Sequence, residues 1–149
     1  DLALPPDLVL AVVMQESAGD PWAFRFEPAF YDRYIKTSEV VAPKGVSQAT
    51  EMVGRATSFG LMQIMGQVAR EHGFQGRYLT QLCEPQVGLL WGCKHLARFL
   101  KKYGNELDAI AAYNAGSPRK KADGVAYVNQ EYVDSVVGWR VRVNETKED

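Results

Sequence analysis

The chain has 149 residues, 46% of them hydrophobic and 23% charged, which fits one globular domain with a sizeable core. Its net charge of −1 argues against a nucleic-acid or anionic-membrane footprint. No apolar run approaches the roughly 20 residues of a membrane span, so no transmembrane segment is expected. The opening Asp1-Leu-Ala-Leu-Pro-Pro has no signal-peptide pattern, and a mature form or an excised domain is expected.

Residues 4–19 read as a first helix. Asp7 is placed as its N-cap, and Leu8 to Gln15 holds neither Pro nor Gly. Val9, Val12, Val13 and Glu16 follow the i, i+3, i+4, i+7 rule and share one face. That puts a carboxylic acid where an apolar residue is expected, and Gly19 with Pro21 ends the helix about one turn later. Burial disfavours a charged carboxylate, so such a Glu can hold its proton near neutral pH and act as a general acid. The alternative is a solvated Glu near a helix end.

Residues 20–57 carry Pro21, Pro28 and Pro43, several aromatic residues and no long helical stripe. They read as an ordered insertion, with a short helix started by Pro28 through Ile35, a turn at Lys44-Gly45 and another short helix from Ser47 to Ala56. The rings of Trp22, Phe24 and Phe26 suit either core packing or stacking on sugar faces. Residues 58–73 read as Gly-Leu-Met-Gln followed by a helix that ends at Gly73, with His72 continuing the stripe Leu61, Met65, Val68.

Residues 86–103 give the clearest helix, the central apolar one, between Pro85 and Gly104. Its stripe is Leu89, Leu90, Cys93, Leu96, Ala97 and Leu100. Residues 106–115 form the next helix, where Leu107, Ile110, Ala111 and Asn114 repeat the pattern of the first. Gly116 and Pro118 end it. Arg119, Lys120 and Lys121 read as a solvated loop, and Val125, Val128, Tyr132 and Val136 define a last helix. Residues 140–149 turn charged and are expected to fray. No alternating run is long enough for a central strand, so the fold class is all-α with little or no sheet, a single domain over 1–149. Cys83 and Cys93 read as two separate thiols rather than a disulfide. With only His72 and His95, neither a metal site nor a cofactor is expected.

Two helix tips thus each bring one polar residue to an apolar face. A buried acid beside a buried amide suits chemistry on a neutral, amide-bearing substrate. An acid with raised pKa can protonate a glycosidic oxygen, and an amide can orient an N-acetyl group. Asp20, Glu27 and Asp32 are the nearby carboxylates in sequence, and none sits on a matching apolar tip.

Glu16-Ser17, Gly60-Leu61-Met62-Gln63, Ala112-Tyr113-Asn114-Ala115-Gly116 and Tyr132-Val133 occur in this order, and the chain resembles the lytic transglycosylases of the soluble (Slt) type, relatives of goose-type lysozyme. The resemblance covers most of the chain. It implies a compact lysozyme-like helical fold that cleaves the MurNAc–GlcNAc β-1,4 bond of peptidoglycan. It also implies that Glu16 is the sole acid/base, with the MurNAc C6 hydroxyl closing a 1,6-anhydro ring. Carried over residue by residue, Ser17 supports Glu16, the Met62 backbone and Gln63 line the sugar site, Tyr113 gives ring contact, and Asn114 bonds the N-acetyl group. Tyr132 hydrogen-bonds near Glu16, with Tyr127 as the alternative. The gap of about 40 residues between Glu16 and Gly60 departs from the simpler family pattern, and gaps of that length tend to be functional when ordered.

A goose-type hydrolase is the alternative activity, with Glu27 or Asp32 as its second carboxylate, about 6.5–9.5 Å from the acid if inverting. A glycan-binding module without turnover is the alternative of another class. The expected partner is a peptidoglycan strand, placing the protein in the bacterial envelope, the periplasm or outside the cell. Secretion-system accessory, phage-particle component and housekeeping cell-wall enzyme all stay open.

Overall fold

The computed structural model describes residues 3–146. The backbone divides into two compact units, one holding the chain up to Gln15 and from Cys93 onward, the other Glu16–Gly92. Seven α-helices and one small sheet are seen among the described residues. None of the helices is long and apolar enough to cross a membrane.

The Glu16–Gly92 unit holds the sheet. Strands β1 (Phe24–Phe26), β2 (Thr57–Phe59) and β3 (Ile64–Met65) run antiparallel in that order. Phe24 faces Phe59 and Phe26 faces Thr57 across the first pair, and Phe59 faces Ile64 across the second. Strands this short contain no readable alternation, which is why the sequence suggests little or no sheet. Helix α2 (Pro28–Phe30) starts at a proline, whose fixed φ suits the first helical turn, and runs into a π-helical turn over Tyr31–Ile35. Helix α3 (Gln48–Arg55) is capped by Ser47, whose Oγ accepts from Thr50 N at 3.1 Å.

The segment 20–57 therefore supplies one strand and two helices to this unit. Ile35, Val40 and Ala56 form a buried cluster with Phe30, Tyr31 and Met52 packed on it. A second cluster joins Phe59, Ile64, Ala69, Phe74, Leu79, Leu82 and Cys83, with Val68, Val87 and Trp91 against it. Burying each large apolar side chain of this kind stabilises by about 1.5–3 kcal/mol.

The helix expected after Gly60-Leu-Met-Gln63 forms, but it is short and ends before Gly73. It spans Gly66–Glu71 (α4), and the Gly60–Gln63 stretch before it is a turn, with φ of +75° at Gly60 and +47° at Gln63, which a right-handed helix cannot hold. His72 is the C-cap of α4. A 3₁₀ turn over Leu79–Cys83 leads into α5 (Pro85–Tyr103). The buried face of α5 is Gly88, Gly92, Leu96 and Phe99, rotated from the predicted stripe, and Leu90 is exposed. Glycines read as gaps in a hydrophobic pattern, yet here they mark close approach, of the Leu82 carbonyl at Gly88 and of the Met62 side chain at Gly92.

The other unit contains α6 (Glu106–Ala115) and α7 (Gln130–Glu145), packed together. Asn105 caps α6 by accepting from Asp108 N at 3.1 Å, and Gly116 ends it in the left-handed conformation at φ +79°. Helix α1 (Pro6–Ser17) buries Leu8, Ala11, Val12 and Val13. Asp7 lies inside its first turn and is not the N-cap. Asp7 Oδ2 instead accepts from Arg140 Nε at 2.6 Å and Asn144 Nδ2 at 3.1 Å. Arg140 Nη1 also donates to Glu106 Oε2 at 2.6 Å, so one guanidinium ties α1, α6 and α7. Ser135 Oγ and Gln15 Oε1 add a further link between α7 and α1.

Helix α7 starts at Gln130 rather than Val125. Val125 and Val128 are exposed, and the chain before the helix folds back so that Val128 N donates to Arg119 O at 2.8 Å. Residues 140–145 continue the helix rather than fray. Residues 147–149 lie outside the described residues. Both cysteines are thiols, Cys83 buried and Cys93 half-buried, and burial pushes each thiol pKa up.

Candidate active site

Glu16 occupies the last turn of α1, directly after the buried Val12 and Val13, and is half-exposed rather than buried. Val9 is also half-buried, so the acid borders the apolar face instead of sitting within it. Solvent access at this point suits a group that must meet a substrate. The helix then stops abruptly, with Ala18 at φ +52° and Gly19 at φ +84°. An alanine in this region carries about 1–2 kcal/mol of strain, a cost that glycine does not bear.

Ser17 fixes the position of this helix end. Its Oγ donates to Leu61 O at 2.8 Å, joining Glu16-Ser17 to the Gly60–Gln63 loop. That loop is held by its own amides. Gly60 N donates to Ala23 O at 2.8 Å, and Gln63 Nε2 donates to Ala23 O at 2.9 Å and Gly60 O at 3.0 Å. The Gln63 amide nitrogen, expected to line a sugar site, is thus engaged in bracing the loop against the start of β1. Met62 is fully buried, so its side chain is out of a ligand's reach. A Cβ at Gly92 would lie 2.6 Å from the Met62 side chain, so glycine there creates the space that methionine fills.

Tyr113, Asn114 and Tyr132 belong to the other unit. Tyr113 is half-buried, with its ring 5.3 Å from that of His95. Asn114 is exposed at the end of α6, whose buried face is Ala109 to Ala112, so it does not sit on the buried stripe. Its Oδ1 accepts from Asn129 Nδ2 at 3.0 Å, and the same nitrogen donates to Ala111 O at 3.0 Å. Asn129 had no place in the sequence-level site. Its signal was available in principle, as a cap-type residue just before α7, but starting that helix at Val125 conceals it.

Tyr132 is half-buried near the start of α7. The alternative, Tyr127, is buried, and its hydroxyl donates to Asp108 Oδ1 at 2.5 Å. Burial, and then the Asp108 carboxylate, push its phenol pKa up to about 12. Lys120 Nζ lies 3.3 Å above its ring. Tyr127 is therefore committed to holding the 117–129 loop on α6.

The candidate second carboxylates have other partners. Glu27 is paired with Arg25 at 2.6 Å, and Asp32 is a surface residue 3.5 Å from Lys36. Asp20 Oδ1 accepts from Trp22 N at 2.9 Å. Glu51, not singled out from sequence, is 1% exposed and lies between Arg70 and Arg55. Trp22 and Phe24 are largely exposed and wall an apolar cleft of about 860 Å³ with Val53, Phe59, Thr80 and Cys83. None of Glu16, Ser17, Met62, Gln63, Tyr113, Asn114 and Tyr132 lines that cleft.

A mostly helical chain with a small sheet and this order of motifs is of the lysozyme-like, lytic-transglycosylase type. The profile of the Transglycosylase SLT domain matches residues 2–132, and the chain belongs to that family. It is 33% identical over 78 residues to Protein IpgF of Shigella flexneri and, equally, to Protein IpgF of Shigella sonnei. Each match covers 50% of this chain and 50% of the relative, so the chain spans about half the length of the curated relatives it matches. No solved structure matches it.

Proposed function

We propose that this chain is a peptidoglycan lytic transglycosylase in which Glu16 alone carries the proton transfers. Glu16 donates its proton to the oxygen linking MurNAc to GlcNAc as the C1–O bond breaks. The resulting carboxylate takes the proton of the MurNAc C6 hydroxyl, whose oxygen bonds to C1 and closes the 1,6-anhydro ring. No water is consumed. The observation that carries this reading is the half-exposed Glu16 on a helix end that Ser17 pins to the Gly60–Gln63 loop, which brings two family motifs together.

In this reading Met62 offers its backbone to the glycan, Gln63 keeps the loop in shape, Tyr113 contributes a ring contact, and Asn114 bonds the N-acetyl group. Tyr132 is preferred to Tyr127 as the tyrosine that serves the acid, because the Tyr127 hydroxyl is held by Asp108. The same activity places the protein outside the cytoplasm, where peptidoglycan lies. Hydrolysis of the goose-type lysozyme kind is less well supported, because Glu27 is paired with Arg25 and Asp32 with Lys36.

Product chemistry tests this directly. Peptidoglycan digested in ¹⁸O-labelled water should yield MurNAc ends one water lighter than reducing ends and free of label. Glu16→Gln should lose at least the roughly 10²–10⁴-fold that general acid catalysis supplies, with the fold retained. Labelled reducing ends, or a near-normal rate in the folded variant, would overturn the proposal.

A further inference from the structure

Asn129 occupies the N-cap position of α7, yet it does not cap. An N-cap asparagine ordinarily turns its side-chain oxygen to a backbone N–H of the first helical turn. Here no side-chain cap bond forms, and Oδ1 is buried without a hydrogen-bond partner among the described residues. A buried acceptor without a partner is costly, so something else must hold the amide this way round. That is Nδ2, which sits 3.0 Å from Ala111 O and 3.0 Å from Asn114 Oδ1.

The chemistry of these contacts fixes both amides. Ala111 O is a main-chain carbonyl and only accepts, so the Asn129 atom facing it must be the nitrogen. The second hydrogen of that nitrogen needs an acceptor, so the Asn114 atom facing it must be Oδ1. Asn114 is exposed, and its Nδ2 is what remains to offer a ligand.

We infer that Asn129 is a positioning residue that sets the polarity of Asn114, making Asn114 a hydrogen-bond donor to a carbonyl-type acceptor on the sugar, the oxygen of an N-acetyl group. This rests on the reading above that Asn114 meets an N-acetyl group. It adds which atom of Asn114 does so and what enforces that choice. Without Asn129, the Asn114 amide is free to turn over and present oxygen as readily as nitrogen. Selectivity for acetylated over free amino sugars then falls.

The test is binding selectivity, which a purely structural role would leave unmoved. Tetra-N-acetylchitotetraose and its fully de-N-acetylated counterpart are titrated by calorimetry into the Glu16→Gln protein. The measurement is repeated with Asn114→Ala, with Asn129→Leu, and with both. None of the substitutions at 114 or 129 changes charge, so the attraction of the amino form cancels between them. Asn129→Leu should lower the ratio of the two affinities about tenfold, Asn114→Ala similarly, and the pair no further than either alone. Thermal unfolding checks the fold, and Asn129→Ala replaces the Leu variant if the larger side chain disturbs it. A ratio unchanged at position 129 but reduced at 114, or additive losses, would overturn the positioning role alone. A ratio unchanged by Asn114→Ala would overturn the N-acetyl contact and this inference with it.

Discussion

Replacing Glu51 by Ala should destabilise the Glu16–Gly92 unit more than any single apolar truncation on its surface. The Glu51 carboxylate receives Arg70 Nε at 2.8 Å, Arg70 Nη2 at 3.0 Å and Arg55 Nε at 2.9 Å. The two guanidinium side chains are only 10% and 19% exposed, so neither regains water when the acid is removed. Breaking a buried pair by deleting one partner costs about 3–5 kcal/mol. At roughly 2–4 °C per kcal/mol for a chain of this size, the melting temperature should fall by about 6–20 °C. The loss should reach residues 73–76, because Arg70 Nη1 also donates to Phe74 O at 2.9 Å and Gly76 O at 2.7 Å. Amide hydrogen exchange should therefore quicken there first. There is a pH signature too. Burial pushes the Glu51 pKa up, but the hydrogen bonds from Arg70 and Arg55 outweigh it and hold it below the ordinary 4.5. Its stabilisation is complete above that value and fades as the pH falls towards the folded pKa, so the variant should lose part of the wild type's acid sensitivity. A melting point within about 2 °C of wild type, less than 1 kcal/mol on the same scale, would refute the reasoning.

Gly60→Ala should cost about 2–5 kcal/mol, from a left-handed φ and a Cβ 2.3 Å from Leu82 O, whereas Gly73→Ala, left-handed but open, should cost only about 1–2 kcal/mol. Equal losses in denaturant unfolding would show that close approach plays no part. Asp7→Asn should cost about 1–2 kcal/mol at neutral pH, after discounting for partial exposure. The Arg140 hydrogen bond, with help from Asn144, lowers the Asp7 pKa from 3.8 to about 2, so the difference from wild type should shrink as the pH drops through that range. Tyr127→Phe should cost about 1.5–3 kcal/mol by losing the bond to Asp108. With the phenol pKa at about 12 instead of 10, that contribution holds below pH 10 and disappears as the pH rises towards 12, which alkaline unfolding of the two proteins would reveal.

The long helices were legible because length averages out local error. Pro85 opens the nineteen residues of α5 and Gly104 follows them, and Gly116 ends α6 where its stripe breaks. What failed to show were features set by contacts distant in sequence. The Phe24–Phe26 strand exists because residues 57–59 lie beside it, and three residues carry no period. The sequence spacing puts Glu16 and Asn114 at the ends of helices, and they lie in the last turns of α1 and α6. Their burial was misjudged, because a helical wheel fixes which residues share a face but not how far round the packed face extends. Asn129 was hidden by the same cause as the true start of α7. Val125 and Val128 fit a helical spacing, but a chain folding back on Arg119 satisfies their backbone instead.

The glycines of α5 have a use beyond this molecule. A Cβ at Gly88 would lie 2.4 Å from Leu82 O, and one at Gly92 would meet Met62. Together with Gly60 they form a three-point gauge for the path of the loop that follows Glu16-Ser17. A related chain with Gly at all three places can take the same path. One with a side chain at 88 must carry its 3₁₀ turn farther from the helix, even if its Gly-Leu-Met-Gln is intact. Sorting relatives by this gauge would group them by loop path, a property that the four-residue motif does not itself specify.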